Sequence, residues 1–175
     1  MIISFMGGKQ AGIVGLLTIL SKGHEIIASV GYDDEIKSIL KALKIYQFKS
    51  TRSIAFKNKM LRSDALICVH GREILRYPKY PKHGCWNVHP YLSKYRGVNP
   101  IGRALKNKDY DASVGIHRMS DKIDEGYISI EKRKKVKPGS VEEVYNQLYP
   151  LYAQVIIDLL SLLQTGIDMS SNIVD

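Results

Sequence analysis

Residues 1–30 read MIISFMGGKQAGIVGLLTILSKGHEIIASV, and their pattern decides the fold class. Met1 to Met6 is apolar with little alternation, the mark of a strand covered on both faces. Gly7-Gly8-Lys9-Gln10-Ala11-Gly12 is a glycine-rich turn. Ile13 to Leu20 reads as a helix that ends near Gly23, and Glu25 to Val30 as a second apolar strand. A strand, a helix and a strand in such short order make a parallel crossover unit, because parallel neighbours need a long connection between them.

The same alternation continues outward. Asp33-Asp34 can cap a helix running through Leu43, since Asp accepts from the open amides of a first turn. Ser53 to Leu61 looks helical, Ala65 to Val69 is a third buried strand, and Ile74 to Tyr80 is a short irregular or helical piece closed by Pro78 and Pro81. Cys85 to His89 is a fourth strand, stopped by Pro90. Val98 to Lys106 reads as a helix. Ala112 to Met119 and Tyr127 to Lys134 alternate as a pair of strands. Ser140-Val141-Glu142-Glu143 fits a capping box. The helix it opens runs to about Leu163, with Pro150 expected to kink or split it. The expectation is an α/β protein: one Rossmann-like domain over residues 1–175, with a mostly parallel twisted sheet and helices on both faces. Ligands in such folds sit at the carboxyl ends of the strands. Chemistry is therefore to be sought just after strands one, three and four.

Composition narrows the function classes. The 175 residues are 45% hydrophobic and 25% charged, which excludes a disordered chain. The longest nearly apolar run, Ala11 to Leu20, is shorter than the roughly 20 residues a bilayer demands. Ser21-Lys22-Gly23 offers no signal-cleavage site. Two cysteines, Cys68 and Cys85, exclude a disulfide framework and a four-cysteine zinc site, so a reducing, cytoplasmic setting is expected. Lys and Arg number 26 against 17 Asp and Glu, giving +9 and a pI near 9.5. That surface attracts anions: nucleotides, phosphorylated metabolites or nucleic acid.

Three local patterns carry chemistry. Gly7, Gly8 and Gly12 open the first helix beside Lys9, an arrangement suited to an anion or to a plain tight turn. It matches neither the P-loop nor the dinucleotide spacing. In His83-x-Cys85-x-Asn87-x-His89, strand alternation turns all four side chains to one face. No second ligand cluster follows, so no metal is expected. A Cys–His nucleophile is a further option. Asn87 and His89, side by side at a strand's carboxyl end, can bind one small polar group together. The run Lys132-Arg133-Lys134-Lys135 with Lys137 reads as a solvated strand end or a nucleic-acid patch. His24, His70 and His117 read as local polar groups. Tyr77, Tyr80, Tyr91 and Tyr95 flank the Asn87–His89 loops and can stack on a flat ligand or pack.

Asn87-Val88-His89-Pro90-Tyr91-Leu92-Ser93-Lys94-Tyr95-Arg96-Gly97 resembles the signature of the folate-dependent formyltransferases, Asn-x-His-Pro-Ser-Leu-Leu-Pro-x-Tyr-Arg-Gly. Asp124-Glu125-Gly126 before Tyr127-Ile128 resembles the later Asp-x-Gly of that family. Ala65 to Val69 followed by Glu73-Ile74-Leu75 resembles its strand and folate-binding Ile-Leu loop. The similarity runs in order from residue 1 to about 163. There are departures. The loop after Pro90 is one residue shorter, with Ser93 for proline. Glu73 stands where glycinamide ribonucleotide formyltransferases have arginine, and Gly7-Gly8-Lys9-Gln10 differs from their phosphate loop. Methionyl-tRNA formyltransferases carry a carboxy-terminal domain, which is not expected in this chain.

The resemblance implies transfer of a formyl group from 10-formyltetrahydrofolate to a neutral primary amine, without a metal. It implies Asn87 and protonated His89 as donors to the oxyanion, with Asp124 orienting His89 and helping to remove the amine proton. The pterin would meet Glu73, Ile74, Leu75 and Asp121, Lys122 and Ile123. An anionic acceptor would meet Gly8, Lys9 and Gln10, and also Tyr95, Arg96 and Asn99. The departures favour a nucleotide-linked amino sugar, such as a pseudaminic-acid-type precursor. The alternatives are another amine, on glycinamide ribonucleotide or an aminoacyl carrier, and a basic nucleotide- or nucleic-acid-binding module without catalysis. A fragment of a longer protein is a further reading. No membrane partner is expected. Members of the family often form homodimers, and no amphipathic seam here decides that point.

Overall fold

The computed structural model describes residues 1–75, 79–119 and 126–166. Six strands, β1 (Ile2–Gly7), β2 (Glu25–Gly31), β3 (Ala65–Val69), β4 (Cys85–Pro90), β5 (Asp111–Arg118) and β6 (Ile128–Lys135), form one sheet in the order β2-β1-β3-β4-β5-β6. The first four run parallel, and β5 and β6 are added antiparallel. The expected α/β class is thus observed, as a mixed sheet.

The helices are α1 (Lys9–Ser21), α2 (Asp34–Ala42), α3 (Ile54–Met60), α4 (Pro100–Lys106) and α5 (Val141–Thr165). Their starts follow capping chemistry. The Asp33, Ser53 and Ser140 side chains accept from Ile36, Phe56 and Glu143 amides, and Ser140 with Glu143 forms the expected capping box. Helix α1 begins at Lys9, earlier than the apolar run from Ile13 suggested, because the glycine turn folds straight into it. Pro150 does not split α5, which runs through it as one element. Val144, Leu148, Leu151 and Tyr152 are buried on both sides of the proline, and that burial outweighs the one lost backbone bond. The helix is long and apolar enough to cross a bilayer by composition. In this fold its apolar stripe packs against α1, β5 and β6.

The sheet's two faces are covered unequally. Ile3, Phe5, Ile67, Val69, Trp86 and Val88 share a large core with α1, α2, α4 and α5. On the other face Met6, Val30, Leu66, Cys68 and Cys85 pack with Phe56, Met60 and Leu75. Helix α3 lies over β1 and β2 there. Beyond it, the β3–β4–β5 part of that face opens into a cavity.

Candidate active site

The cavity has a volume of about 590 Å³, within the roughly 300–1,000 Å³ range of small-molecule sites. It runs along the open face from Cys68 and Met119, past Asn87 and His89, to Lys9, His70 and Tyr145 above the carboxyl edge. The strand order places the connection reversal between β1 and β3, so Lys9 and His70 stand at the topological switch point.

Strand β4 sets the catalytic candidates. Alternation sends Trp86 and Val88 into the large core and leaves Asn87 and His89 on the cavity face. Both are half-buried. Asn87 Nδ2 lies 3.1 Å from His117 Nε2, and His117 Nδ1 lies 3.1 Å from the Arg118 carbonyl oxygen. His89 Nε2 donates to the Gly97 carbonyl oxygen at 3.0 Å. After Pro90 the chain reverses at Tyr91, which is fully buried with φ 53°. Its hydroxyl donates to the Asp109 carbonyl oxygen at 3.1 Å, and burial with nearby Asp109 pushes it up to about 12.

The folate-side candidates divide. Glu73, Ile74 and Leu75 all line the cavity, with Ile74 half-exposed and Leu75 buried. The Glu73 carboxylate accepts from the Thr51 amide at 2.9 Å, from Ser50 Oγ at 3.0 Å and from the Thr51 hydroxyl. It therefore ties the loop down, while the two apolar residues offer surface to a ring. Asp121, Lys122, Ile123 and the proposed acid Asp124 lie outside the described residues, as does Tyr77.

The acceptor-side candidates are more dispersed. Lys9 and Asn99 line the cavity. Gly8, Gln10, Tyr95 and Arg96 are not in its wall. The Lys9 amide donates to Asp33 Oδ2, whose carboxylate also takes the Ile36 amide at 3.1 Å. One acid thus serves the starts of α1 and α2, inside the turn read as an anion cradle. A Cβ on Gly8 would lie 2.9 Å from that oxygen. Gln10 Nε2 donates to Glu35 Oε2 at 3.2 Å. Tyr95 packs edge-on against Tyr91 and receives a bond from Asn107, and the Arg96 carbonyl is held by Arg103. Asn99 caps α4 from a left-handed conformation.

His70, Arg72, His117 and Tyr145 also line the cavity, and the motif reading missed them. His70 directly follows β3, one of the positions the fold class singles out. Its imidazole is held below the usual range, first by burial and then by the Lys9 and Arg72 charges. The Tyr145 ring lies edge-on to it, 6.1 Å between centroids, and burial pushes that phenol up to about 12. The Cys–His option loses support, because burial pushes the Cys85 thiol up to about 12 and a neutral thiol is a poor nucleophile. The basic run lies on edge strand β6. Lys132 pairs with Asp158 at 2.7 Å, Arg133 pairs with Asp111 and Glu131, and Lys134 reaches the Gln147 carbonyl.

A sequence profile of the family described as "Formyl transferase" matches residues 44–160. A methionyl-tRNA formyltransferase of Prochlorococcus marinus is 31% identical over 97% of this chain and 58% of its own length. The methionyl-tRNA formyltransferases compared are matched over 28% to 63% of their lengths. Among solved structures, the N-formyltransferase from Helicobacter canadensis, in complex with folinic acid and dTDP-3-aminofucose, has TM-score 0.77 at 14% identity. That likeness covers 95% of this chain and 65% of the other. Glycinamide ribonucleotide transformylase 1 from Symbiobacterium toebii also has TM-score 0.77 at 14% identity, covering 94% and 87%. The profile spans most of the chain, with the Asn87–His89 strand inside it, and the chain belongs to the formyl transferase family.

Proposed function

We propose that the chain carries the catalytic core of an N-formyltransferase, moving a formyl group to a primary amine on an anionic acceptor. One observation carries this reading: Asn87 and His89 leave β4 on the same face, into the cavity that Ile74 and Leu75 also line. The one-carbon donor assigned to that cavity is 10-formyltetrahydrofolate, which when bound supplies an activated formyl carbon. The exposed Ile74 and the 89% exposed Val98, both in the cavity wall, suit a flat ring system.

The acceptor amine must be neutral, because an ammonium has no lone pair. As its nitrogen adds to the formyl carbon, the formyl oxygen gains negative charge. Asn87 Nδ2–H and His89 Nε2–H are the donors assigned to that oxygen. His89 Nε2–H already donates to a neutral carbonyl, Gly97, and exchanging it for an anionic oxygen makes the bond stronger. Asp124 is assigned to orient His89 and favour imidazolium, since an opposite charge stabilises the cation. It is also the group assigned to draw off the amine proton, directly or through water, and to return a proton to N10 as the oxyanion collapses, the carbon–N10 bond breaks and tetrahydrofolate leaves.

The acceptor class we favour is a nucleotide-linked amino sugar, of which a pseudaminic-acid-type precursor is one candidate. Lys9, Arg72 and His70 gather at the switch-point end and suit phosphate oxygens there. A second reading, an aminoacyl group on tRNA, draws support from the names of the sequence relatives and from the +9 charge. A panel of dTDP-3-aminofucose, glycinamide ribonucleotide and methionyl-tRNA, each with 10-formyltetrahydrofolate, separates them by mass. Gain of one formyl group on the sugar supports the favoured class, and gain on methionyl-tRNA replaces it. Salt-dependent nucleic-acid binding with no formyl transfer to any of the three would refute the enzymatic reading.

A further inference from the structure

We propose that His117 is a positioning residue for this reaction: it is the acceptor that holds the Asn87 carboxamide in one orientation. The inference rests on the reading of Asn87 as an oxyanion donor. His117 lies on β5 directly opposite Asn87 in the antiparallel register and is 2% exposed. The atom facing its Nδ1, the Arg118 carbonyl oxygen at 3.1 Å, can only accept, so Nδ1 carries the hydrogen. A neutral imidazole has one N–H, which leaves a lone pair on Nε2. Asn87 Nδ2, at 3.1 Å, donates to that lone pair. An amide nitrogen carries two hydrogens, so donation to His117 fixes the amide plane and the direction of the second N–H. Donation to the ring distinguishes the amide nitrogen from its oxygen, which a half-turn about the terminal amide torsion would exchange.

The glycine of Asp-x-Gly belongs to the same device. A Cβ on Gly126 would fall 1.6 Å from the Arg118 carbonyl oxygen and 3.2 Å from His117 Nδ1. Only a glycine backbone can pass there. Gly126 thus packs against the carbonyl that sets the His117 tautomer. Nothing in the spacing of the chain pairs residues 87 and 117; the register does.

Long-range proton–nitrogen correlation spectra of ¹⁵N-labelled protein read the tautomer without turnover. The expected result is His117 protonated at Nδ1 only, with one slowly exchanging Asn87 side-chain amide proton that disappears in His117→Leu. Protonation at Nε2 in the neutral ring overturns the inference. With 10-formyltetrahydrofolate and dTDP-3-aminofucose, His117→Leu is expected to lower kcat by about 10–100-fold and to change either KM by less than about 3-fold. His117→Gln, whose amide oxygen accepts at similar reach, is expected to recover kcat to within about 5-fold of the natural protein. Equal losses in both variants, or losses confined to KM, would make His117 a packing residue. If His117→Leu fails to fold, His117→Gln and the spectra decide, and the spectra also decide if this sugar is not the acceptor. A harmless Asn87→Ala would sink the donor reading itself. A damaging Asn87→Ala beside a harmless His117→Leu would sink this inference alone.

Discussion

At the β4 end of the cavity, Asn87 and His89 share a direction because strand alternation and a buried register hold them. At the β1 end, the Gly8–Lys9–Gln10 turn is shaped by what meets it: Asp33 accepts from the Lys9 backbone amide, and Glu35 accepts from the Gln10 side chain. Both ends carried residues of the right type for their expected task. The difference shows that a strand fixes side-chain direction by itself, whereas a glycine turn only permits a ligand. The Asp33 carboxylate satisfies the Lys9 amide that an anion would otherwise take.

Breaking the strand-borne end should have the largest effect. Asn87→Ala and His89→Ala are each expected to reduce kcat by about 10²–10³-fold with the fold intact by circular dichroism, and Asp124→Ala should likewise remove most turnover. Steady-state assays check this, and full activity in His89→Ala would end its assignment. Next in size is Asp33→Ala, which withdraws one acid from two helix starts. It should cost about 1–2 kcal/mol in denaturant unfolding and strengthen binding of inorganic phosphate at the freed Lys9 amide. Unchanged stability would contradict the shared cap.

Lys9→Ala sharpens the comparison from the other side. It should raise acceptor KM several-fold more than folate KM, and equal changes would argue against an anion contact. The same variant moves a titration. The His70 pKa lies below its ordinary value, from burial first and then from the Lys9 and Arg72 charges. A lowered folded-state pKa means the unfolded chain binds the proton first. Stability is then complete above the unfolded value of about 6.5 and falls as pH drops toward the folded one. Removing Lys9 should raise the His70 midpoint in an NMR titration and flatten that acid-side loss. The smallest effect belongs to β6. Lys132→Ala breaks a half-exposed pair with Asp158 and should cost at most about 1 kcal/mol.

Much of this was legible in the sequence, for stated reasons. The periods of the apolar segments fixed strands and helices, and Asp33, Ser53 and Ser140 fixed helix starts through local capping chemistry. The direction shared by Asn87 and His89 followed from a two-residue spacing. What was not legible depends on partners distant in the chain. Asp33 reaching Lys9, Thr51 holding Glu73 and His117 under Asn87 come from tertiary register. Pro150 misled because propensity was weighed without the burial that surrounds it. His70 could have been found, since it follows β3 at the edge where ligands bind.

The account turns on two donors acting on one oxygen, and a double-mutant cycle on Asn87 and His89 tests that most directly. Single-turnover formyl transfer in Asn87→Ala, His89→Ala and the combined variant should show strong coupling, with the double loss well short of the product of the single losses. Losses that simply multiply would mean the two side chains act independently, contradicting a shared oxyanion site.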